Sequence, residues 1–492
     1  MSQFDLLIKG GMVYTEAGFR KLDVAVKGEK IAALVDPGVI KEAKEVIDVT
    51  GQYVLPGIID THAHLRDPGY THKEDFETGT KAAAASGVTF ICPQPNLDPV
   101  INTPEAYEME IAEGEKKSLI DFNPPPSPLM WRDGNVKPLS DMGCAFFKIF
   151  QKLAAYPYST SASTIDTWEL LNAFRAVAET GKFCTIHPFD HFFFDHAPEE
   201  VKKAGLEWNL WNYMPAIYTD EEMAGASFQL YYLARRAGMR WMCLHVWHPN
   251  YIDLIRWAKD HGEIDIIGTT QAMSGGILET METRRDGFKV YYKTTGEWIK
   301  SNIWYVGDIE YTWEAINDGT IDLVDSDHAP HRMEEFMNTD PTKAAMGYPM
   351  LDWYGHLMLN EVNNGNISLE RLVEVTSVNQ ARVLGLYPKK GSILPGTDAD
   401  FTIADMKKEW TINSDVVYTK TQLNPYHDRK IQGQVTCTIV RGTIVMSNGK
   451  VIGKPGFGKF VKADPSLSLP PVNCNKSNKW IRKPKPYNGL GK

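Results

Sequence analysis

Several histidines and one aspartate stand where predicted strands end, and together they could bind divalent metal ions. His62 and His64 follow the apolar run that begins at Val54. Side chains of a strand alternate between its two faces, so two histidines separated by one residue point the same way, as two ligands of one metal must. Later predicted strands end at His187, His245 and Asp327. Imidazole and carboxylate groups together suit zinc and related divalent cations.

Each of these residues has a simpler explanation when it is taken alone. A single H-x-H pair is common, a histidine at a strand end is usually a hydrogen-bonded, half-buried side chain, and Asp327 could cap a helix. Their coincidence at one predicted face favours the metal site. If the strand ends are displaced by a few residues, the alternative ligands are His191, His196 and His248, for which loop or supporting roles are otherwise expected.

Lys148 lies within an apolar predicted strand, Ala145-Phe-Phe-Lys-Ile-Phe. Burial disfavours the charged ammonium, so the pKa of Lys148 should fall and its amine should become neutral and nucleophilic. A neutral amine can add carbon dioxide to give a carbamate, an anionic group able to bridge two metals. The residues alone favour a simpler alternative, a lysine whose charged end reaches solvent at the end of the strand.

These residues need a scaffold that brings the carboxyl ends of many strands to one face. Between about residues 57 and 390, strand-like apolar runs alternate with helical patterns, which indicates βα units and a parallel sheet. Predicted helix ends are followed by a glycine and a strand at Gly87, Gly181, Gly238, Gly262 and Gly319. Glycine adopts the left-handed helix cap without a Cβ penalty.

Further strands are predicted at 54–60, 118–123 and 144–149, which makes about eight βα units. The α/β fold that fits best is a (β/α)8 TIM-like barrel over 57–390, with its chemistry at the carboxyl ends of the strands. A doubly wound sheet is the alternative, but the glycine-rich phosphate turn of that fold is not present. Both ends of the chain are rich in short strands. Residues 461–492, with several Pro, Asn and Lys, predict an extended tail that is solvated or clasps another subunit.

The composition excludes several classes of protein. With 492 residues, 43% hydrophobic and 11% aromatic, the chain has ample material for a core and does not fit a disordered protein. No run approaches the roughly 20 apolar residues of a membrane span, and no secretory signal is visible at the start. A net charge of −10 opposes nucleic acid as the partner. Six cysteines without C-x-x-C spacing are typical of reduced thiols, so we expect a cytoplasmic protein.

Four segments carry a resemblance to a known family. Asp60-Thr-His-Ala-His-Leu-Arg-Asp-Pro-Gly69 and Gly79 to Thr89, leading to Pro95-Asn96, resemble the first signature of dihydroorotases, a group of cyclic amidohydrolases. Ser326-Asp-His-Ala-Pro-His331 resembles the second signature, and Lys390 to Asp400 resembles the return of the chain to a β-sandwich. The resemblance extends to about residue 460. Hydantoinases, dihydropyrimidinases and allantoinases share this scaffold.

The resemblance implies a β-sandwich domain made of residues 1–56 and 391–460 beside the barrel. It also implies two divalent metal ions, usually zinc, one held by His62, His64 and Asp327 and the other by His187 and His245. Lys148, carboxylated by carbon dioxide, would bridge them, which favours the ligand role over the solvent-exposed one. A metal-bridging hydroxide would attack the ring carbonyl, and Asp327 would carry its proton to the departing amide nitrogen.

The resemblance also implies substrate contacts. Dihydroorotases hold the substrate carboxylate with residues that match Arg66, Asn96 and His331, and the planar fork of Arg66 suits a carboxylate. A salt bridge from Arg66 to Asp67 is the competing explanation. Hydantoinases place a tyrosine five residues after the bridging lysine, where this chain has Leu153; Tyr156 and Tyr158 are out of step. This difference favours the dihydroorotase-like alternative.

Other departures concern the loops that line the substrate pocket. Segments 269–274 and 292–297 differ from the dihydroorotase pattern, and large aromatic residues are abundant in this part of the chain: Phe192, Phe193, Phe194, Trp208, Trp211, Trp247, Trp298 and Trp304. Most of these should serve packing or a subunit interface. We nevertheless expect a roomier, more aromatic pocket than dihydroorotate requires.

We therefore expect an enzyme, a cyclic amidohydrolase that opens the C–N bond of a small cyclic amide, imide or ureide. The alternatives are a hydantoinase, dihydropyrimidinase or allantoinase acting on a bulkier ring. A lactonase or deaminase on the same metals would change only the loops. A non-catalytic scaffold would have lost metal ligands, and all of them are present here. The resemblance further implies a homo-oligomer, a dimer or a tetramer.

Overall fold

The structure is a computed structural model that describes residues 3–151, 163–272, 289–300, 308–338, 340–343 and 347–472. Several residues named above lie outside this part of the chain: Leu153, Tyr156, Tyr158, Ser274, Trp304, Cys474, the tail from residue 473, and the side chain of Trp211. Within the described part, no helix combines the length and the apolar character needed to cross a membrane.

The described elements are numbered in chain order. The strands are β1 (Leu6–Thr15), β2 (Gly18–Lys27), β3 (Lys30–Val35), β4 (Glu45–Asp48), β5 (Tyr53–Pro56), β6 (Ile58–Ala63), β7 (Val88–Pro93), β8 (Asp121–Phe122), β9 (Phe146–Phe150), β10 (Phe183–His187), β11 (Arg240–Cys243), β12 (Ile266–Gln271), β13 (Lys289–Tyr292), β14 (Glu297–Lys300), β15 (Leu323–Asp325), β16 (Phe401–Thr411), β17 (Leu423–Asn424), β18 (Lys430–Val440), β19 (Thr443–Ser447) and β20 (Lys450–Val451). The α-helices are α1 (Phe76–Ala85), α2 (Pro104–Lys117), α3 (Val136–Asp141), α4 (Thr167–Thr180), α5 (His191–Lys203), α6 (Leu210–Ile217), α7 (Asp220–Ala237), α8 (Pro249–His261), α9 (Ile309–Asp318), α10 (Met333–Phe336), α11 (Tyr354–Asn363), α12 (Leu369–Val373) and α13 (Asn379–Val383).

Eight parallel strands stand in the order of a (β/α)8 barrel. One sheet is β6-β7-β8 and the other is β9-β10-β11-β12-β15. Backbone hydrogen bonds link the two: the Lys148 amide donates to the Pro126 carbonyl (3.0 Å), and the His64 amide donates to the His328 carbonyl (2.7 Å). The predicted α/β class is confirmed.

Glycines with positive φ end the helices of the barrel just before the next strand, as the sequence predicted. All five glycines have positive φ, from 60° at Gly262 to 97° at Gly87. Gly181, Gly238, Gly262 and Gly319 are the left-handed caps of α4, α7, α8 and α9. These caps are confirmed.

The single strand predicted over 54–60 is wrong, because the chain divides there at Gly57. β5 pairs with β1 and β16, whereas β6 pairs with β7. A Cβ atom on Gly57 would lie 2.1 Å from Oγ1 of Thr89, so only glycine fits where the chain passes between the two sheets. His62 and His64 consequently lie at the end of a barrel strand of their own.

The two ends of the chain form one nine-stranded sheet. Its order is β20-β19-β18-β16-β5-β1-β2-β3, and β4 pairs with β1. Buried apolar side chains from both ends fill its core, among them Ile8, Val24, Phe401 and Ile439. A separate small sheet, β14-β13-β17, contains the hairpin over 292–297.

The described beginning of the tail, residues 461–472, alternates exposed residues with residues that pack against the barrel. The Val461 amide donates to the Phe122 carbonyl (3.0 Å), and the Ala463 amide donates to the Gly143 carbonyl (3.0 Å). Both side chains are buried. The strand β8 is short, and this segment covers its edge.

Buried charges join the barrel to the nine-stranded sheet. Nζ of Lys390 lies 2.5 Å from Asp121 in β8 and 2.7 Å from Asp400, and Nε of Arg441 lies 3.0 Å from Asp121. The three carboxylates around it, those of Asp400, Asp121 and Asp398, outweigh burial and raise the pKa of Lys390. The ammonium therefore stays charged and ties the two units together.

Candidate metal centre

His62, His64 and Asp327 meet where β6 and β15 end. Nε2 of His62 lies 3.6 Å, and Nε2 of His64 lies 3.7 Å, from the Asp327 carboxylate. One potential ligand atom from each residue falls within 4.8 Å of the others. Asp327 has a φ of 50°, a left-handed conformation that aspartate tolerates better than most residues and that turns its carboxylate towards the two rings.

Two buried aspartates hold these strand ends together. Asp60 accepts hydrogen bonds from the backbone amides of His62 (3.1 Å) and Ser326 (3.2 Å). Asp325 accepts from the Thr61 amide (2.9 Å) on the opposite strand. Burial and the charge of Asp325 raise the pKa of Asp60 to about 8. Asp60 opens the first motif and Asp325 directly precedes the second, each two residues before a ligand candidate, and neither was assigned a role from the sequence.

His187, His245 and Lys148 form the second group. Nδ1 of His187 lies 3.0 Å from Nε2 of His245. The ring centroid of His245 lies 5.6 Å from that of His62, so the two groups adjoin. His245 comes two residues after β11 rather than at its end, and it has a φ of 59°. The side chain of Lys148 is fully buried in β9.

Aromatic rings stand two residues after each member of this group. Nζ of Lys148 lies 4.7 Å from the ring centroid of Phe150. Phe189 stacks on His187 with centroids 4.2 Å apart, and the Trp247 centroid lies 4.9 Å from that of His245. Side chains alternate between the two faces of a strand, so Phe150 lies on the same face of β9 as Lys148, whereas Phe189 and Trp247 follow the ends of β10 and β11. The spacing within the strand could therefore have predicted Phe150 from the sequence, but not Phe189.

The aromatic residues singled out from the sequence are mostly elsewhere. Trp247 contacts the group directly, and Phe194 packs on Phe189 with centroids 5.3 Å apart. Phe192, Phe193, Trp208 and Trp298 are among the exposed side chains. Helix α5 turns Phe192 and Phe193 outward, whereas Phe194, one residue on, faces the interior.

The electrostatics suit metal binding. Burial, more than any other cause, lowers the pKa of His62, His64, His187 and His245 well below the ordinary value, so the rings are neutral with lone pairs to donate. Burial also lowers the pKa of Lys148 to about 7. Nζ of Lys148 has no hydrogen-bond partner among the described residues.

A pair of divalent cations fits this donor set. Two ligand atoms of a tetrahedral zinc ion stand about 3.3 Å apart, and the 3.0 Å between the His187 and His245 nitrogens is close to that separation. A buried amine without a partner is costly, and carboxylation would give Lys148 oxygen atoms for the metals. The donor types are those that zinc prefers.

Of the three residues expected to contact substrate, Arg66 and His331 contact each other and Asn96 lies elsewhere in the site. Nη2 of Arg66 lies 3.4 Å from Nε2 of His331, and both side chains are buried. Asn96 instead contacts a ligand candidate, with its Oδ1 2.8 Å from Nδ1 of His64. Asp67 pairs with Lys117 (2.9 Å).

Comparisons with known proteins identify the family of the chain. The sequence model of the amidohydrolase family matches residues 212–445. A dihydroorotase from Methanosphaera stadtmanae is 31% identical over 432 residues, which cover 85% of this chain and 94% of that protein. The chain belongs to the amidohydrolase family. Its expected place among the cyclic amidohydrolases, and with it the enzyme class, is confirmed.

Other relatives of this amidohydrolase carry different names. An allantoinase from Escherichia coli is 28% identical over 450 residues, covering 90% of this chain and 95% of that protein. The solved structure of the L-hydantoinase (dihydropyrimidinase) from Arthrobacter aurescens has a TM-score of 0.84 and 26% identity, and covers 94% of this chain and 100% of that one. The names therefore favour no single ring as the substrate.

The alternative ligands of the amidohydrolase stand apart from both groups. His191 and His196 lie on α5, where His191 is exposed and His196 faces Glu199 (3.7 Å). His248 is buried at the start of α8, and burial lowers its pKa to about 4. Segment 269–274 departs from the dihydroorotase pattern and contains Gln271. Oε1 of Gln271 accepts a hydrogen bond from the backbone amide of His245 (3.0 Å), so this residue supports a ligand candidate.

Proposed function

We propose that this amidohydrolase opens the C–N bond of a small cyclic amide, imide or ureide in a dihydroorotase-like reaction. The observation that carries the proposal is the meeting of six residues at one end of the barrel: His62, His64, Lys148, His187, His245 and Asp327. Arg66 comes two residues after His64, and its positive charge is, after burial, the next cause of the lowered pKa of that ring, so a cation stands beside the set.

The six residues would hold two divalent cations, which we propose to be zinc. His62, His64 and Asp327 would bind one, His187 and His245 the other, and Lys148 would lie between them as its carbamate. Bound cations of this kind lower the pKa of water and polarise a carbonyl group. Asp327 would accept the proton of the attacking water and return it to the departing amide nitrogen.

Arg66 and His331 would hold a negatively charged substituent of the ring. The guanidinium offers a planar pair of donors, which matches a carboxylate. The His331 ring lies beside it at 3.4 Å. Asn96 would orient His64 through its Oδ1 and keep its amide protons for the substrate.

A second candidate is a hydantoinase-type reaction on a bulkier ring, the alternative raised from the sequence. The aromatic rings of Phe150, Phe189 and Trp247 favour it, because they give one side of the centre an apolar surface. The similarity to an L-hydantoinase across almost the whole chain supports the same candidate.

Metal analysis and a substrate panel test the proposal together. The purified protein should contain about two divalent ions per chain, and a folded, active chain without metal would contradict it. Ring opening should then be assayed with dihydroorotate, dihydrouracil, allantoin and aryl-substituted hydantoins. Preference for dihydroorotate supports the first candidate, and preference for an aryl hydantoin supports the second.

We also propose a cytoplasmic homo-oligomer. The described cysteines, Cys92, Cys144, Cys184, Cys243 and Cys437, are free and buried, as in a reducing compartment. Phe228, Tyr232 and Trp257 expose neighbouring rings on α7 and α8, an apolar surface that another copy could cover. Light scattering after size-exclusion chromatography should give the mass of a dimer or tetramer.

A further inference from the structure

The His187 ring is fixed on three sides. Phe189 stacks on its face at 4.2 Å, with the two ring planes 12° apart. Nδ1 of His187 lies 3.0 Å from Nε2 of His245. Nε2, the other ring nitrogen, lies 3.4 Å from the hydroxyl of Tyr218.

We propose that Tyr218 is a positioning residue that fixes the tautomer of His187, an inference that rests on the proposed metal centre. A neutral imidazole carries its proton on one nitrogen and a lone pair on the other. In the proposed tautomer, Nε2–H donates a hydrogen bond to the Tyr218 hydroxyl oxygen, and the lone pair stays on Nδ1. Nδ1 is the nitrogen that faces His245, where the second cation would lie.

The surroundings of Tyr218 hold its hydroxyl in place. Tyr218 lies between α6 and α7, and its ring packs near Phe189 with centroids 5.4 Å apart. The next residue, Thr219, caps α7 by accepting the Glu222 amide (3.1 Å). Glu222 in turn accepts the amide of Asp190 (2.7 Å), the residue that follows Phe189. One hydrogen-bonded segment therefore positions both the stacking ring and the hydroxyl.

In the other three histidines the corresponding nitrogen is Nδ1, because Nε2 faces Asp327 or His187. His64 has Asn96 at its Nδ1 (2.8 Å). Nδ1 of His62 and Nδ1 of His245 have no hydrogen-bond partner among the described residues. Partners of ligating histidines typically change metal affinity or activity 10- to 100-fold when they are removed. Tyr218 should therefore control the affinity of the cation bound by His187 more than that of the other cation.

The test compares Tyr218→Phe with Tyr213→Phe in the metal-depleted full chain. Both substitutions remove one hydroxyl; Tyr213 is buried one turn earlier, packs on Phe194, and its hydroxyl has no hydrogen-bond partner among the described residues. Titration with Co²⁺, followed by its visible absorption and by competition with a chelator, measures two binding steps. Tyr218→Phe should weaken one step about 10- to 100-fold and leave the other within about threefold, while Tyr213→Phe should match the wild type.

A second measurement needs no variant. In metal-free wild-type protein labelled with ¹⁵N-histidine, His187 should give the nitrogen shifts of the Nε2–H tautomer. The Nδ1–H tautomer, or two Co²⁺ affinities unchanged in Tyr218→Phe, would overturn the inference and leave the proposed function standing. A wild type that binds no Co²⁺ at all would instead contradict the proposed function.

Discussion

The two halves of the candidate metal centre are held by different forces. In the polar half, His62, His64 and Asp327 stand in a network of hydrogen bonds anchored by Asp60 and Asp325. In the aromatic half, Lys148, His187 and His245 stand against the rings of Phe150, Phe189 and Trp247.

The difference shows how one barrel mouth can meet two chemical demands. Hydrogen bonds are directional, so the aspartates fix where the strand ends β6 and β15 meet. Aromatic packing is less directional but excludes water, and this burial lowers the pKa of Lys148 to about 7, which raises the share of its amine that is neutral and able to react with carbon dioxide. In the proposed centre, the polar half positions ligands and the aromatic half makes the amine of Lys148 reactive.

The largest effect on activity should come from replacing Lys148, the proposed ligand of the aromatic half. Lys148→Met should lower kcat at least about a thousandfold, because it removes several kcal/mol of metal-derived stabilisation. The same change should stabilise the metal-free fold by about 1 kcal/mol, because a buried amine without a partner is replaced by an apolar chain. Steady-state kinetics and urea unfolding measure the two effects.

The matched control is Lys182→Met. Lys182 is also buried, but its Nζ donates to the Cys144 carbonyl at 2.5 Å. This variant should lose stability and keep the wild-type kcat. In Lys148→Ala, partial recovery of activity with a short carboxylic acid would support the carbamate, whereas wild-type activity without any addition would contradict the ligand role.

In the polar half, removing one of the two buried aspartates should lower the stability of the fold. Asp325 accepts hydrogen bonds from Thr61, Gln380 and Thr269. Asp325→Ala leaves these buried donors without an acceptor, so the free energy of unfolding should fall by about 3 kcal/mol. Urea unfolding of metal-free protein measures it, and a fall below about 1 kcal/mol would show that the network does not hold the strand ends.

Glu222, which accepts the Asp190 amide behind the aromatic half, should make the stability of the fold depend on pH. Burial raises the pKa of Glu222 to about 8, from an ordinary value of 4.5. Its contribution to stability is therefore complete below about pH 4.5 and is lost as the pH rises towards 8, with a slope of at most about 1.4 kcal/mol per pH unit. Glu222→Gln should flatten this slope in urea unfolding between pH 5 and 8. An unchanged slope would assign the pH dependence to other groups.

The smallest effect should come from one ring of the aromatic half. Phe189→Leu removes the stacking on His187 and should cost about 1 kcal/mol of stability, with a modest loss of metal affinity. Differential scanning calorimetry and Co²⁺ titration measure the two changes. Leu384→Met, in the core away from the centre, is the control for a change of packing alone. Equal metal affinities in the two variants would show that stacking does not orient His187.

The sequence predicted the barrel because its signals are local. The helix-capping glycines and the strand-end residues each belong to one short stretch of chain. The break at Gly57 was not predictable in that way, because the glycine is required by the approach of Thr89, which is distant in sequence. The contact between Tyr218 and His187 was missed for the same reason, since 31 positions separate the two residues.

The site residues divide similarly. His62, His64 and Asp327 follow from motifs, and their mutual distances agree with a shared metal. Asn96 was expected at the substrate, but its contact with His64 depends on how the loop after β7 folds back on β6, which the spacing of residues does not encode. Phe192 and Phe193 belong to an aromatic set of which most members were expected to serve packing or a subunit interface, and the orientation of α5, which composition does not encode, leaves both exposed.

The pairing of β8 with the segment after residue 459 has a consequence for synthesis on the ribosome. The side chain of Asn123, next to β8, donates to the Val461 carbonyl, 338 positions later. In a nascent chain, the edge of β8 therefore stays unpaired until residues 459–461 have emerged from the ribosome. Chaperones that bind unpaired strand edges should therefore bind β8 during translation, before the segment that covers it has been synthesised.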